Sequence, residues 1–106
     1  MTSTQQLEKS VNHIAEELNN IASSEDSYEK MYKYLCKCLD VTYTVTSDKK
    51  LKDVKYLVTF GGPNIYINTK SDMVEGYWGG DEYAAFISDE AIELIFDISD
   101  EIYSLF

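Results

Sequence analysis

A chain of 106 residues, of which 44% are hydrophobic, is long enough to form one hydrophobic core. Its 13% aromatic content sets it apart from disordered chains despite a formal net charge of −10, so we expect a single folded domain over residues 1–106. An acidic excess of this size disfavours a nucleic acid, itself a polyanion, as a direct ligand.

Two amphipathic helices are predicted in the first third of the chain. Apolar residues recur at spacings of four and three over residues 4–22, which is the pattern of a helix with one narrow apolar seam. The seam residues are Leu7, Val11, Ile14, Leu18 and Ile21. The segment "ASSEDS" at residues 22–27 then provides a break, and a second helix is predicted over residues 26–39. Its apolar positions are Tyr28, Met31, Tyr32, Leu35, Cys36 and Leu39.

From Val41 onward apolar and polar residues alternate, which predicts β-strands. The first strand is predicted over residues 41–46 and the second over residues 56–60, with "SDKKLKD" as the loop between them. "GGP" at residues 61–63 ends the second strand, because proline cannot donate a hydrogen bond to a sheet. "NIYIN" and "MVEGYW" then predict a hairpin closed by a four-residue loop at 69–72.

The loop length of this hairpin fixes which of its residues share a face. Asn68 is predicted opposite Met73, and Tyr66 opposite Glu75. The inner face is then formed by Ile65, Ile67, Val74 and Trp78. The outer face, directed at water or at a partner, is formed by Tyr66, Asn68, Glu75 and Tyr77.

The last part of the chain predicts a C-terminal helix. "YAAFI" at residues 83–87 leaves room for an extra short strand, and Ser88 is a suitable N-cap for a helix that follows it. The predicted fold class is therefore α+β. It consists of an antiparallel sheet of about four strands, two N-terminal helices and one C-terminal helix, in the order ααββββα.

Charge is segregated along the chain. All nine lysines lie at or before Lys70, the chain has no arginine, and the segment after Lys70 contains ten acidic residues and no basic one. Five of these acids follow one side of the C-terminal helix over roughly 16–17 Å. They are Glu90, Glu93, Asp97, Asp100 and Glu101. Asp81 and Glu82 are expected to widen this row into a single outward patch.

Two interpretations of the acidic row remain open. A row of acids on a helix is commonly a solvated face. However, Asp97, Asp100 and Glu101 near the C-terminus of the helix oppose its dipole and repel one another, so stability alone does not favour them. The outward Tyr66 and Tyr77 add aromatic side chains of the kind that anchor protein interfaces. Together these features favour a protein-binding surface.

The sequence provides few residues for catalysis or for metal and cofactor binding. His13 is the single histidine and has no arginine to accompany it, so we expect no catalytic site. No calcium-loop, dinucleotide or phosphate-loop pattern occurs, so we expect no metal and no cofactor. Cys36 and Cys38 suit neither a zinc site nor a disulfide and are interpreted as reduced thiols of an intracellular protein. The sequence contains no secretory signal pattern and no apolar run that would span a bilayer, so we expect no membrane partner.

A resemblance to known proteins lies in residues 61–82, "GGPNIYINTKSDMVEGYWGGDE". This segment resembles small proteins of phages, prophages and plasmids that share a Gly-Gly-Pro-Asn strand followed by a Gly-Tyr-Trp-Gly turn. In size, acidity and α+β pattern the chain resembles anti-CRISPR and antirestriction proteins, several groups of which present carboxylates in place of DNA phosphates. The resemblance implies a stoichiometric inhibitor from a mobile element and no catalytic residues.

The leading hypothesis is therefore a DNA mimic in the cytoplasm of a host bacterial cell, which binds the basic groove of a nuclease or CRISPR effector. The residues expected to bind the partner are Tyr66, Glu75, Tyr77, Asp81, Glu82, Glu90, Glu93, Asp97, Asp100 and Glu101. One alternative is an immunity or antitoxin-like protein that neutralises a basic toxin. Another is a small structural or regulatory homo-oligomer, for example a homodimer formed through the narrow seam of the first helix.

Overall fold

Residues 2–106 are described by a computed structural model, and over this range the chain forms three α-helices and five β-strands. The elements are α1 (Ser3–Ala22), α2 (Ser27–Cys36), β1 (Asp40–Val45), β2 (Leu51–Thr59), β3 (Asn64–Asn68), β4 (Met73–Trp78), β5 (Asp81–Phe86) and α3 (Asp89–Tyr103). The α+β class, the two N-terminal helices and the C-terminal helix are confirmed. The extra strand is present as β5.

The five strands form one antiparallel sheet in the order β1-β2-β3-β4-β5. In β3 and β4, Asn68 pairs with Met73 and Tyr66 with Glu75, which confirms the predicted register. Because side chains alternate along each strand, the buried residues all lie on one face of the sheet. On the three central strands they are Leu51, Val54, Tyr56, Ile65, Ile67, Val74 and Gly76.

The helices cover this buried face. α1 lies along β4 and β5, and its seam is in the core, where Leu7, Val11 and Leu18 are completely buried. α3 begins after β5 and crosses the same face towards the β1 edge, where Tyr103 packs against Tyr43 of β1 at a distance of 5.5 Å between ring centroids. The core occupies the α1 seam, which disfavours the alternative of a homodimer formed through it.

Two predicted boundaries are wrong, each for a local reason. β2 begins at Leu51, not at residue 56, because the turn is only 46–50 and is closed by a hydrogen bond from the Thr46 N–H to the Lys50 carbonyl. A bulge in β2 between Leu51 and Asp53 interrupts the alternation and hides the strand in the sequence. α2 ends at Cys36, three residues before the predicted end, because the N–H groups of Lys37 and Cys38 bond three residues back, to the carbonyls of Tyr34 and Leu35, and tighten the last turn.

Gly76 marks the closest approach of α1 to the sheet. This residue of β4 is buried under the first two turns of α1. A Cβ atom at Gly76 would lie 2.5 Å from Cγ2 of Val11 and 2.8 Å from Cδ1 of Leu7. Glycine therefore allows the helix to rest directly on the strand.

α3 is held to the sheet by a buried polar contact. The Tyr56 hydroxyl lies 2.7 Å from Oγ of Ser99, and Ser99 donates its own proton to the Ile95 carbonyl, also at 2.7 Å. Tyr56 is therefore the donor to Ser99. This arrangement satisfies both buried hydroxyls inside an otherwise apolar core.

We expect the burial of Tyr56 to make stability depend on alkaline pH. Burial raises the pKa of Tyr56 from 10.0 to about 12. The unfolded chain therefore loses this proton first, and the stability that Tyr56 contributes is complete below about pH 10 and is lost as the pH rises to about 12. Urea unfolding at several pH values measures this loss. Over this pH range the free energy of unfolding should fall less in Tyr56→Phe than in the wild type, by an amount on the order of 1–2 kcal/mol. Identical alkaline slopes in the two proteins would contradict this assignment.

Candidate protein-binding surfaces

α3 has one buried side and one acidic side. Ser88 caps its N-terminus by accepting a hydrogen bond from the Ala91 N–H at 3.2 Å. Its buried residues are Ala91, Ile95, Ile98 and Ser99. These anchor the helix, so its other side is directed outward. The five acids predicted there, Glu90, Glu93, Asp97, Asp100 and Glu101, are all exposed.

One tyrosine of α2 lies beside the acids of α3, and a second exposed tyrosine lies next to it on the same helix. The Tyr28 hydroxyl donates a hydrogen bond to the Glu101 carboxylate. This bond raises the pKa of Tyr28, and the charge of Asp97 acts in the same direction, which places Tyr28 next to both acids. Tyr32 follows one turn later, and each tyrosine is 43% exposed. We call the surface formed by Glu90, Glu93, Asp97, Glu101, Tyr28 and Tyr32 the acid–tyrosine face.

Asp100 lies to one side of this face. It lines a surface depression with Lys49 and Lys50 of the β1–β2 turn and with Tyr103. The hydroxyl of Tyr103 also donates to the Lys49 carbonyl at 3.2 Å, which fixes the turn against α3. Two lysines distant in sequence therefore line the same depression as Asp100. No ion pair within residues 2–106 involves an acid of α3, Asp100 included.

A second group of predicted residues lies on the sheet face that none of the helices within residues 2–106 covers. The rings of Tyr66 and Tyr77 pack edge to face, with centroids 6.1 Å apart, and the Lys55 amine lies 4.4 Å from the centre of the Tyr66 ring. Burial raises the pKa of Tyr77, and the neighbouring charges of Glu75 and Glu82 act in the same direction. We call the group formed by Tyr66, Glu75, Tyr77 and Glu82 the open-face tyrosine cluster.

The expectation of a single acidic patch is wrong. The open-face tyrosine cluster lies on the opposite side of the sheet from the helices, whereas the acid–tyrosine face belongs to the helix layer. Adjacent residues of a strand point to opposite faces, so Asp81 and Glu82 are separated as well. The Asp81 carboxylate accepts a hydrogen bond from the Thr4 hydroxyl at 2.8 Å, beside the first turn of α1.

Neither Asp81 nor Glu82 extends the acidic row of α3. Both lie at the start of β5, and α3 begins only after the other end of that strand, roughly 20 Å away at about 3.3 Å per residue. Asp81 instead places a negative charge near the N-terminus of α1, where the helix dipole favours one. Its position thus has a structural explanation within the chain.

Tyr28 and Tyr32 were the functional candidates that sequence reasoning missed. Both have helical spacing with Met31 and Leu35 and were assigned to the apolar face of α2. In the structure only Met31 and Leu35 of that helix are buried. Spacing alone does not show how wide a stripe a ten-residue helix buries, so the sequence contained no signal that separates these tyrosines from the core.

The histidine and the cysteines occupy unremarkable positions. Nε2 of His13 lies 3.4 Å from the Glu17 carboxylate on the exposed side of α1. Cys36 and Cys38 are free thiols, and burial raises the pKa of Cys38 to about 11, so that its thiol is neutral near pH 7. Within residues 2–106, no group of three potential metal ligands comes together. In the same part of the chain, no helix combines the length and apolarity that a membrane crossing requires.

We expect the acids of α3 to reduce the stability of the protein. Glu93 and Asp97 are one turn apart and repel each other without a nearby base. The variant Glu93→Gln/Asp97→Asn should raise the free energy of unfolding by about 0.5–1 kcal/mol at low salt, and the gain should shrink as salt screens the charges. Thermal or urea unfolding at two salt concentrations measures both effects.

Glu29 offers a control with the opposite sign. Its carboxylate lies 3.1 Å from the Lys33 amine on α2, so Glu29→Gln removes an attractive pair and should lower stability by a few tenths of a kcal/mol, about 0.3–0.5. A loss of stability in the α3 variant would contradict the view that these acids repel one another.

Comparison with protein-family models, with curated proteins and with solved structures found no match to this chain.

Proposed function

We propose that the protein is a stoichiometric inhibitor of the anti-CRISPR or antirestriction type, which acts in the cytoplasm of a bacterial cell and originates from a mobile element. It occupies the basic nucleic-acid-binding groove of a host defence nuclease or CRISPR effector with its acid–tyrosine face. The observation that supports this proposal is the row of exposed α3 carboxylates that form no ion pair with any other residue of the range 2–106, with two exposed tyrosines at its border.

The spacing of the row suits a groove that binds a phosphate backbone. Glu90, Glu93, Asp97 and Glu101 follow one another at three or four residues, which corresponds to one carboxylate about every 4.5–6 Å along the helix axis. Duplex DNA carries one charge per ~1.7 Å of axis, so the helix reproduces part of one backbone rather than a whole duplex. Lysines and arginines that contact phosphates in the groove would contact these carboxylates instead.

The two kinds of side chain in this face contribute differently to binding. Carboxylates attract a basic groove over a distance and mainly increase the association rate. Tyr28 and Tyr32 provide apolar contact area with a polar tip, and aromatic anchors of this kind mainly slow dissociation. The hydrogen bond from Tyr28 to Glu101 also holds the tyrosine in place before the partner arrives.

A charge-reversal pair tests the proposal. Immobilised wild-type protein should retain a nuclease or CRISPR effector from host lysate, and duplex DNA should release it because both ligands compete for one groove. Glu93→Lys/Asp97→Lys should lose this retention by at least about a hundredfold, since it replaces two attractions with two repulsions. Circular dichroism checks that the variant remains folded.

The matched control is Glu75→Lys/Glu82→Lys. It changes the net charge by the same amount but lies on the sheet face opposite the helices. It should retain the partner as the wild type does. Equal retention by Glu93→Lys/Asp97→Lys, or loss in the control alone, would contradict the assignment of the acid–tyrosine face. Retention of a basic protein that DNA does not release would instead favour a toxin-neutralising role.

A further inference from the structure

The two edges of the sheet differ in how well they are protected against pairing with another strand. β5 begins with Asp81 and Glu82, and charges on an edge strand discourage further pairing. β1 forms the other edge and contains no charged residue, proline or glycine from Val41 to Val45. An edge of this kind is a template for an added strand.

The sequence of the β1 edge reads the same in both directions. Residues 41–45 are Val-Thr-Tyr-Thr-Val, centred on Tyr43. If two copies of this strand pair antiparallel about Tyr43, the two Tyr43 residues meet, each Thr42 faces Thr44 of the other copy, and each Val41 faces Val45. Tyr–Tyr and Thr–Thr pairs are favourable across an antiparallel ladder. The bulge near this hairpin inserts its extra residue in β2, so β1 itself is uninterrupted.

The backbone groups at the centre of β1 point in the direction that such pairing needs. The Val41 N–H donates to its neighbour, the Asp40 carboxylate, at 2.9 Å and is therefore not used by β2. In an antiparallel strand every second residue directs its N–H and C=O to the same side, so those of Tyr43 also point outward. Tyr43 is thus suited to form a pair of hydrogen bonds with its own copy.

The surroundings of the edge complement a second copy. Beside β1 lies a largely apolar groove of about 340 Å³ between α2 and the end of α3, lined by Leu35, Leu39, Val41, Tyr43 and Ile102 among others. Leu39, which lines the groove, and Val45, the last residue of β1, are both exposed. In the register above, Asp40 of one copy reaches residue 46 of the other, the first residue of the turn that carries Lys49 and Lys50.

We propose that two copies of this chain associate through β1, antiparallel and centred on Tyr43, so that their sheets become one continuous sheet. The contact is isologous, and it closes on itself as a dimer because each copy has a single such edge. It buries Val45 and Leu39, and it replaces the Val41–Asp40 hydrogen bond with a bond to the partner's Val45. This inference does not depend on the proposed function, because no acid of α3 takes part.

Two double variants that differ at one position test the register. Thr42 and Thr44 are exposed on the open face, so charges there leave the core unchanged. Thr42→Lys/Thr44→Lys places like charges opposite each other twice in the dimer, whereas Thr42→Glu/Thr44→Lys places opposite charges there. Like-charged pairs destabilise a ladder and opposite pairs stabilise it, so we expect the dissociation constants of the two variants to differ by about tenfold or more.

Analytical ultracentrifugation over a range of concentrations measures the association. Wild type and Thr42→Glu/Thr44→Lys should approach twice the chain mass of 12.1 kDa, while Thr42→Lys/Thr44→Lys stays at the monomer mass. Long-range repulsion would give the opposite result. Thr42→Lys/Thr44→Lys carries less net negative charge than the other two proteins, so its copies repel each other less over long distances. In hydrogen exchange, the Tyr43 amide should become protected as concentration rises. A wild type that remains a monomer throughout, or a dimer equally stable in both variants, would overturn the inference.

Discussion

Gly76→Val is expected to lose the native state, so that no cooperative unfolding transition is observed. Gly76→Ala is expected to lower the free energy of unfolding by about 2–3 kcal/mol. Even the single Cβ of alanine would lie 2.5 Å from Val11 and 2.8 Å from Leu7, far inside van der Waals contact. Both neighbours are completely buried on α1, so neither can move aside without shifting the helix from the sheet. Valine adds two further methyl groups at the same place. Its steric cost is therefore large compared with the typical total stability of a protein, about 5–15 kcal/mol.

Gly80→Ala is the matched control for this prediction. Gly80 lies in the β4–β5 turn, where an added Cβ meets no atom within 4 Å. Urea unfolding should therefore give nearly the wild-type value for Gly80→Ala. Val11→Ala should be less destabilising in the Gly76→Ala background than in the wild type, because it makes room for the new methyl group. Equal stability of the two alanine variants would show that α1 does not rest on Gly76.

Leu18→Ala is expected to lower the free energy of unfolding by about 2–5 kcal/mol. Leu18 belongs to the seam of α1 and is completely buried, so its removal leaves a cavity that the surrounding core fills only in part. Leu105→Ala provides the same chemical change at a residue that is 84% exposed, and it should change stability by less than about 0.5 kcal/mol. A similar cost at both positions would mean that the α1 seam is not the core.

The features that the sequence predicted well are those that depend on local periodicity. α1 and the β3–β4 hairpin follow regular periods of 3.6 and 2, and a four-residue loop left a single register for Tyr66 and Glu75. β2 was predicted too short because its bulge changes the phase of the alternation between Leu51 and Val54. Predictions from local periodicity fail wherever the backbone departs from regular geometry.

The candidate site was harder to predict than the fold. The sequence identified the acidic side of α3, since it is defined by one helix and its period. It could not show that Lys49 and Lys50 would lie beside Asp100, or that Tyr28 and Tyr32 would border the row, because these contacts depend on how α2, α3 and the β1–β2 turn pack together. The acids of α3 are close in sequence to Glu75 and Glu82, which suggested one patch. The sheet itself, however, separates the acid–tyrosine face from the open-face tyrosine cluster.

The position of α1 over β4 and β5 has a consequence for how the protein is made. α1 packs on two strands that are synthesised after it, and the contact between Thr4 and Asp81 joins residues 77 positions apart. Before β4 and β5 have been made, the growing chain therefore lacks the surface on which Leu7 and Val11 are buried. The apolar seam of α1 stays uncovered until these strands are available, and α1 then folds together with them.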